Sequence, residues 1–328
     1  MRNIVVFVRV FSLCLLVCTQ LAWSADVQVT SNADTGLGTL RDALANANNG
    51  DTIVFELPAG STITLATTLT VTKTLAIDGA GSSGLTISGN HATRVLTINA
   101  SASATVSNLA IADGIVGLYS VGTLSVSKCT ISGSTIGIES YSTLTVANST
   151  FFGNSSPDLG GGIKTHSGSA TVTNSTFVNN FAHRGGAIAL SSNSASTVTN
   201  SLFQGNSVTQ FGAPIYDDYG GKVSADHNLY WSNIDPGGDN CSGCSIDANA
   251  TLADPLLGSL AENGGPTQTY LPALGSAAID SGDDTTCAAP AVNSLDQRGV
   301  VRPAGAHCDI GAVESNDQLF LDGFEPAI

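Results

Sequence analysis

Three segments between Leu144 and Asn206, LTVANSTFFGN, TVTNSTFVNN and TVTNSLFQGN, are near copies of one another, and repetition at this period confines a chain to stacked-unit architectures. Aligned on Asn148, Asn174 and Asn200 and extended back through Lys128 and Asn108, the copies form five registers spaced 20, 20, 26 and 26 residues. Two positions before the anchor stand Val106, Val126, Val146, Val172 and Val198; three after it stand Ile111, Ile131, Phe151, Phe177 and Phe203. Strand alternation would keep one parity throughout, yet the apolar positions change parity at the anchor, so the backbone must bend there. Asn tolerates the left-handed conformation a bend needs, and stacked amides can bond from coil to coil, which predicts a structural ladder at Asn148, Asn174 and Asn200. A second column, Gly117, Gly137, Gly162, Ala187 and Pro214, precedes Leu118, Ile138, Ile163, Ile188 and Ile215, so each coil has at least two strands. Coils this short leave no room for helices. Successive copies must stack as parallel strands about 4.8 Å apart, giving an all-β fold, a parallel β-helix, whose crossovers should be right-handed.

The signals GGGI (Gly160 to Ile163) and GGAI (Gly185 to Ile188), with FxxN at Phe151/Asn154, Phe177/Asn180 and Phe203/Asn206, resemble the repeats of polymorphic outer-membrane proteins and related bacterial surface β-helices. The resemblance implies a right-handed β-helix and a surface location, not a chemistry.

Residues 1–24 read as a signal peptide: Arg2 and Arg9, the apolar run Val10 to Val17, then Ala22-Trp23-Ser24. A retained anchor would need a longer apolar run, and no later run could span a bilayer. The segment carries two of the 11 basic residues and none of the 26 acidic ones, so its removal makes the charge still more negative than −15, which speaks against nucleic acid as a partner. Residues 25–60 read as an N-terminal cap. Thr39 with Asp42 makes a capping box ahead of Leu40, Ala43, Leu44 and Ala47, and Asn48-Asn49-Gly50 stops the helix. The stretch GTLRDALANAN followed by GDTIVF resembles the CSLREA-type segment that precedes bacterial β-helices, departing from it at Gly38, Thr39 and Asp42. Residues 61–235 form the β-helix of about eight coils. Residues 236–315, with ADPLLGSLAENGGPTQTYLPALGSAAIDSG, LDQRGVVRP and CDIGAVE in order, resemble the choice-of-anchor Q domain of secreted bacterial proteins. That resemblance implies a secreted or surface-bound β-helix held through its C-terminal end. Physically the segment serves as a C-terminal cap, with Arg298 and Arg302 available to Asp280, Asp296 or Asp309. The tail 316–328, containing LFLDGFEPAI, resembles the FxDGFE-type tails of proteobacterial exported proteins, which implies sorting or anchoring machinery as a partner.

Export favours a local disulfide between Cys241 and Cys244 over a redox or zinc pair, and a second bridge between Cys287 and Cys308. Cys129 is a small packed thiol. Nucleophile elbow, P-loop, Rossmann fingerprint, HExxH and EF-hand loop are absent, and no cofactor or metal is expected; Asp235, Asp239 and Asp247 read as solvated turn residues rather than calcium ligands. The loops 155–159, 181–184 and 207–211 should stack on one edge, offering Asp158, His183, Arg184 and Gln210, with Glu139, Lys164, Tyr216 and Asp217 on the adjoining strand. Three functions compete. A binding or adhesion surface for a glycan or cell-surface ligand would use this edge. A pectate-lyase-like polysaccharide lyase or a glycoside hydrolase would need its acids closer together than the two coils separating Asp158 from Asp217. Ice binding would use the hydroxyls Thr171, Thr173, Thr197 and Thr199 beside the Val column, where Ser and Thr are also ordinary outward residues.

Overall fold

The computed structural model describes residues 24–315 except Gly221, Asp239 and Ile246. The expected signal peptide (but for Ser24) and the tail 316–328 lie outside the described residues. Three parallel sheets wind around one core. Sheet A has nine strands, from Asp26–Val29 to Val223–Asp226; sheet B has eight, from Thr62–Thr64 to Leu229–Trp231; sheet C has eight, from Leu69–Val71 to Cys241–Ser242. The chain visits A, B and C in turn, so a coil has three strands, and eight complete coils stack.

The columns in the sequence are the registers of these sheets. Val106, Val126, Val146, Val172 and Val198 are paired strand to strand in sheet A and are at most 1% exposed. Ile111, Ile131, Phe151, Phe177 and Phe203 do the same in sheet B. Phe151, Phe177, Phe203 and Tyr230 stack with ring centroids 4.6, 5.0 and 5.4 Å apart, close to the strand spacing itself. The bend at the anchor is present in every copy: Asn108, Lys128, Asn148, Asn174, Asn200 and His227 all have φ between 44° and 59°. A further bend lies at Gly160 and Gly185, with φ of 61° and 62°, where an added Cβ would overlap the carbonyls of Ile163 and Ile188. That requirement explains the GGGI and GGAI words.

The amide ladder lies elsewhere. Asn148, Asn174 and Asn200 do not bond to one another. The ladder is the Asn of FxxN, six residues on: Asn154 Nδ2 donates to Asn180 Oδ1 (2.9 Å), Asn180 Nδ2 to Asn206 Oδ1 (3.0 Å) and Asn206 Nδ2 to Asn233 Oδ1 (3.1 Å). Each oxygen also accepts the backbone N–H of the preceding rung, and each NH2 reaches a carbonyl of sheet B, as Asn180 does at Phe151. These side chains point into a turn closed to water, where only a neighbouring amide can satisfy them.

At the N-terminal end, helix Leu40–Asn46 covers the open coil, burying Leu40, Ala43 and Leu44 with Ala47 just beyond it. Thr39 Oγ1 accepts from Asp42 N as the N-cap, and Asp42 Oδ2 accepts from Gly38 N, one residue ahead of the cap, a variant of the capping box. The flanking segments Asp26–Val29 and Thr52–Phe55 are the first strands of sheet A, so the stack starts well before residue 61. At the other end it runs past 235 to Cys241–Ser242, and Cys241, Cys244 and Ala250 close the core.

The C-terminal segment is not an end cap. It runs lengthwise along the stack as a strap over sheet B and the Asn bends. Pro266 O accepts from Gly84 N near one end, and Ala278 and Ile310 pack on Leu202 and Leu229 near the other. Between them Gln297 donates to Thr130 Oγ1 and accepts from Thr150 Oγ1. Asn148 Nδ2 donates to Val292 O and Asn174 Nδ2 to Asp309 O, while Asn200 exchanges two bonds with the backbone of Asp283. The Asn anchors are therefore docking points for the strap. Cys287 pairs with Cys308 and Cys241 with Cys244, while Cys129 is free and buried. Arg298 pairs with Asp296 and Arg302 with Glu314, all nearly sealed from water; Asp280 pairs with neither arginine and accepts from His307 N instead.

Candidate functional site

Sheet B faces the strap, and sheet A presents small hydroxyl residues outward. Large outward residues gather on sheet C. Its outward column in register reads Thr70, Thr97, Tyr119, Glu139, Lys164, Ala189 and Tyr216. Just beyond the strand ends, Tyr141 stacks on His166 (4.1 Å, 6°) and leans on Tyr119 (5.6 Å), whose other neighbour is the Arg94 guanidinium at 3.8 Å. Glu139 Oε1 lies 2.8 Å from His166 Nε2. Arg94, Tyr119, Glu139, Tyr141 and His166 thus form one contiguous cluster in which Tyr141 is 37% exposed.

Most of the six residues gained by the longer coils fall between FxxN and the Gly column: Asn154 to Gly162 and Asn180 to Ala187 are eight and seven positions, against three from Ser134 to Gly137. They are not all loops: Phe181–Arg184 and Ser207–Phe211 are paired strands of a small sheet D, extended by single bridges from Ser155 to Phe181 and from Ser207 to Ile234. This flap leans onto sheet C and makes a second cluster. Lys164 Nζ reaches Asp158 Oδ2 at 3.0 Å, with Lys164 nearly buried and Asp158 open. Arg184 Nε donates to Gln210 Oε1 (2.8 Å), and the guanidinium lies 4.6 Å from the Phe211 ring and 3.4 Å from Tyr216 Oη. Tyr216 Oη in turn donates to Asp218 Oδ1 (2.7 Å). His183 Nδ1 meets Thr209 Oγ1 at the flap's outer side.

Of the residues expected at this edge, Asp158, Lys164, Arg184, Gln210 and Tyr216 come together. Asp217 does not belong with them. It points inward, 4% exposed, and its carboxylate accepts the N–H groups of Tyr219, Lys222 and Val223, holding a turn; alternation sends the neighbour of an outward Tyr216 to the other face. Asp218 takes the exposed place. Arg94, Tyr119, Tyr141, His166 and Phe211 were not singled out by sequence reasoning, although Tyr119 shares the column of Glu139, Lys164 and Tyr216. Burial, with the Asp218 carboxylate beside Tyr216 and that of Glu139 beside Tyr141, raises both phenols above their ordinary range, so both stay protonated as donors near neutral pH.

Among the described residues no three His, Cys, Asp or Glu side chains gather closely enough to hold a metal ion. Asp247 accepts from Asn228 and Tyr230, and Asp235 from Gly212, Ala213 and Gly237. Among the described residues no helix is long and apolar enough to cross a membrane.

Residues 73–233 match the family model of the right-handed β-helix region. The solenoid is accordingly a right-handed parallel β-helix. A crystal structure of pectate lyase Pel9A is similar over 89% of this chain and 97% of its own, with a TM-score of 0.51 and 14% identity, which is a likeness of fold. No curated protein matches the sequence.

Proposed function

We propose that this β-helix protein acts at or outside the surface of a Gram-negative bacterium by binding a glycan or another extended cell-surface ligand along the outer face of sheet C and its flap. The observation that carries the reading is the row from Arg94 to Asp218, in which side chains able to contact a polymer are set out along the coil axis. The column from Tyr119 to Tyr216 spans four rungs, about 19 Å at the parallel strand spacing, a length suited to a chain-like ligand, with Tyr216 itself nearly buried behind Arg184 and Phe211. Aromatic rings beside fixed hydrogen-bond donors are what such recognition requires. Export is supported by the N-terminal sequence and by the two disulfides; the choice-of-anchor Q resemblance and the tail support retention through the C-terminal end.

The test is binding of the purified chain to a panel of immobilised polysaccharides and to intact cells, with Tyr119→Ala and Arg184→Ala compared. Both should weaken binding while leaving the unfolding temperature near that of the parent. Unchanged binding in both, with loss on replacing Thr171 and Thr197, would move the contact to sheet A. A second reading rests on Glu139–His166 and Lys164–Asp158, two acid–base pairs on adjoining coils of a fold shared with a pectate lyase; it requires release of unsaturated or reducing ends from the same panel.

A further inference from the structure

We infer that the polymer held on this face is uncharged, a neutral polysaccharide rather than a uronate or amino-sugar chain; the inference rests on the binding reading above. The face is balanced in charge, whereas the chain is not. Three cations (Arg94, Lys164, Arg184) stand with three anions (Glu139, Asp158, Asp218) on a chain of net charge −15. Of the three cations only Lys164 meets a carboxylate; the two guanidinia lie against uncharged groups and the anions hold hydrogen-bonded places. Lys164 is taken by Asp158, and Glu139 by His166. Arg184 is spent on Gln210 and Tyr216, Asp218 receives the Tyr216 hydroxyl, and Arg94 lies against the Tyr119 ring. A polyanion would meet as many anions as cations on this face, the exposed Asp158 carboxylate among them, and a repelling field from the rest of the molecule. A polycation would be drawn to the acidic remainder of the surface rather than to this row. What the row offers instead is partly exposed aromatic surface at Tyr119 and Tyr141 and protonated phenols, the groups that match hydroxyl-rich rings without charge.

The experiment is affinity electrophoresis of the purified chain in gels containing glucan, mannan, polygalacturonate or chitosan, repeated in solution between about 0.1 and 1 M salt, where the screening length falls from about 10 to about 3 Å. Retardation by a neutral polymer is expected, with a dissociation constant that changes less than about twofold over that range, since screening acts on charges. Tyr141→Ala should weaken it at least about tenfold, equivalent to 1.4 kcal/mol, while Tyr141→Phe, which keeps the ring, should retain it. Retention by polygalacturonate or chitosan alone, lost at high salt, would overturn the inference and leave the binding reading standing. Failure to bind any of the four polymers would overturn both.

Discussion

Asn174 and Asn180 lie six residues apart in one coil and do unrelated work. Asn174 sits at φ 44° and sends its Nδ2 outward to Asp309 O of the strap. Asn180 points inward and bonds to Asn206, Phe151 and Asn154. Replacing Asn180 with Ala orphans several buried partners at about 1 to 3 kcal/mol each, so a loss of several kcal/mol in chemical denaturation is expected. Asn148→Ala should cost less, because the single strap contact of Asn148 is a 3.3 Å bond to Val292; equal losses would contradict the assignment of the ladder. A glycine at 148 should recover part of that loss, since the bend needs positive φ more than it needs an amide.

Among the elements, the Phe stack of sheet B and the flap of sheet D mark two extremes. Phe177 touches rings on both sides and is fully buried; Phe177→Ala should lower stability by about 3 to 5 kcal/mol through the cavity left in the stack, read from denaturant midpoints at unchanged m-value. The flap adds residues without disturbing the columns, since Ile163, Ile188 and Ile215 remain in register behind it. Replacing Asp158, His183 and Arg184 together by Ala should therefore leave the fold within a few kcal/mol of the parent, at about 0 to 1 kcal/mol for the exposed Asp158 and about 1 kcal/mol for each hydrogen-bonded, half-buried side chain, while weakening ligand binding. The same separation explains why the flap can carry function: stacking fixes the sheets, and the inserted residues are free to vary.

Across the whole molecule, the strap ties coils that are far apart in sequence. The Cys287–Cys308 bridge closes a loop with a separation of 21 residues and should contribute about 3 kcal/mol, measurable as a fall in unfolding temperature on reduction or in Cys308→Ser. Beside it, Asp296, Asp309, Glu314, Arg298 and Arg302 form a nearly sealed set with one more acid than base. Burial pushes the Asp309 carboxyl up to about 7, and Glu314 moves in the same direction, burial again being the main cause. A carboxyl whose folded pKa is raised favours folding while protonated. Its contribution is full below the ordinary carboxylate range and is lost as pH rises towards about 7. The difference in unfolding temperature between the parent and Asp309→Asn should therefore change between pH 5 and pH 7.5 in favour of the variant at the higher pH; a constant difference would refute it.

What the sequence determined by itself was the stack. Side-chain period, parity change at the anchors and columns of Val, Ile and Phe are local properties repeated coil by coil, and parallel stacking follows from them because each coil can bury its apolar face only against its neighbours. Asp42 and Thr39 likewise announced the N-terminal helix through bonds made within four residues. What the tertiary structure decided was every contact between segments that share no period. Whether an Asn amide faces a neighbouring rung or the strap depends on what lies outside the bend, and the strap that lies there comes from residues 253–315. The cluster of Arg94, Tyr119, Glu139, Tyr141 and His166 draws on four coils, and its members meet only once register has placed them side by side. A repeat specifies its own geometry; the partners brought to its surface are set by packing at a distance.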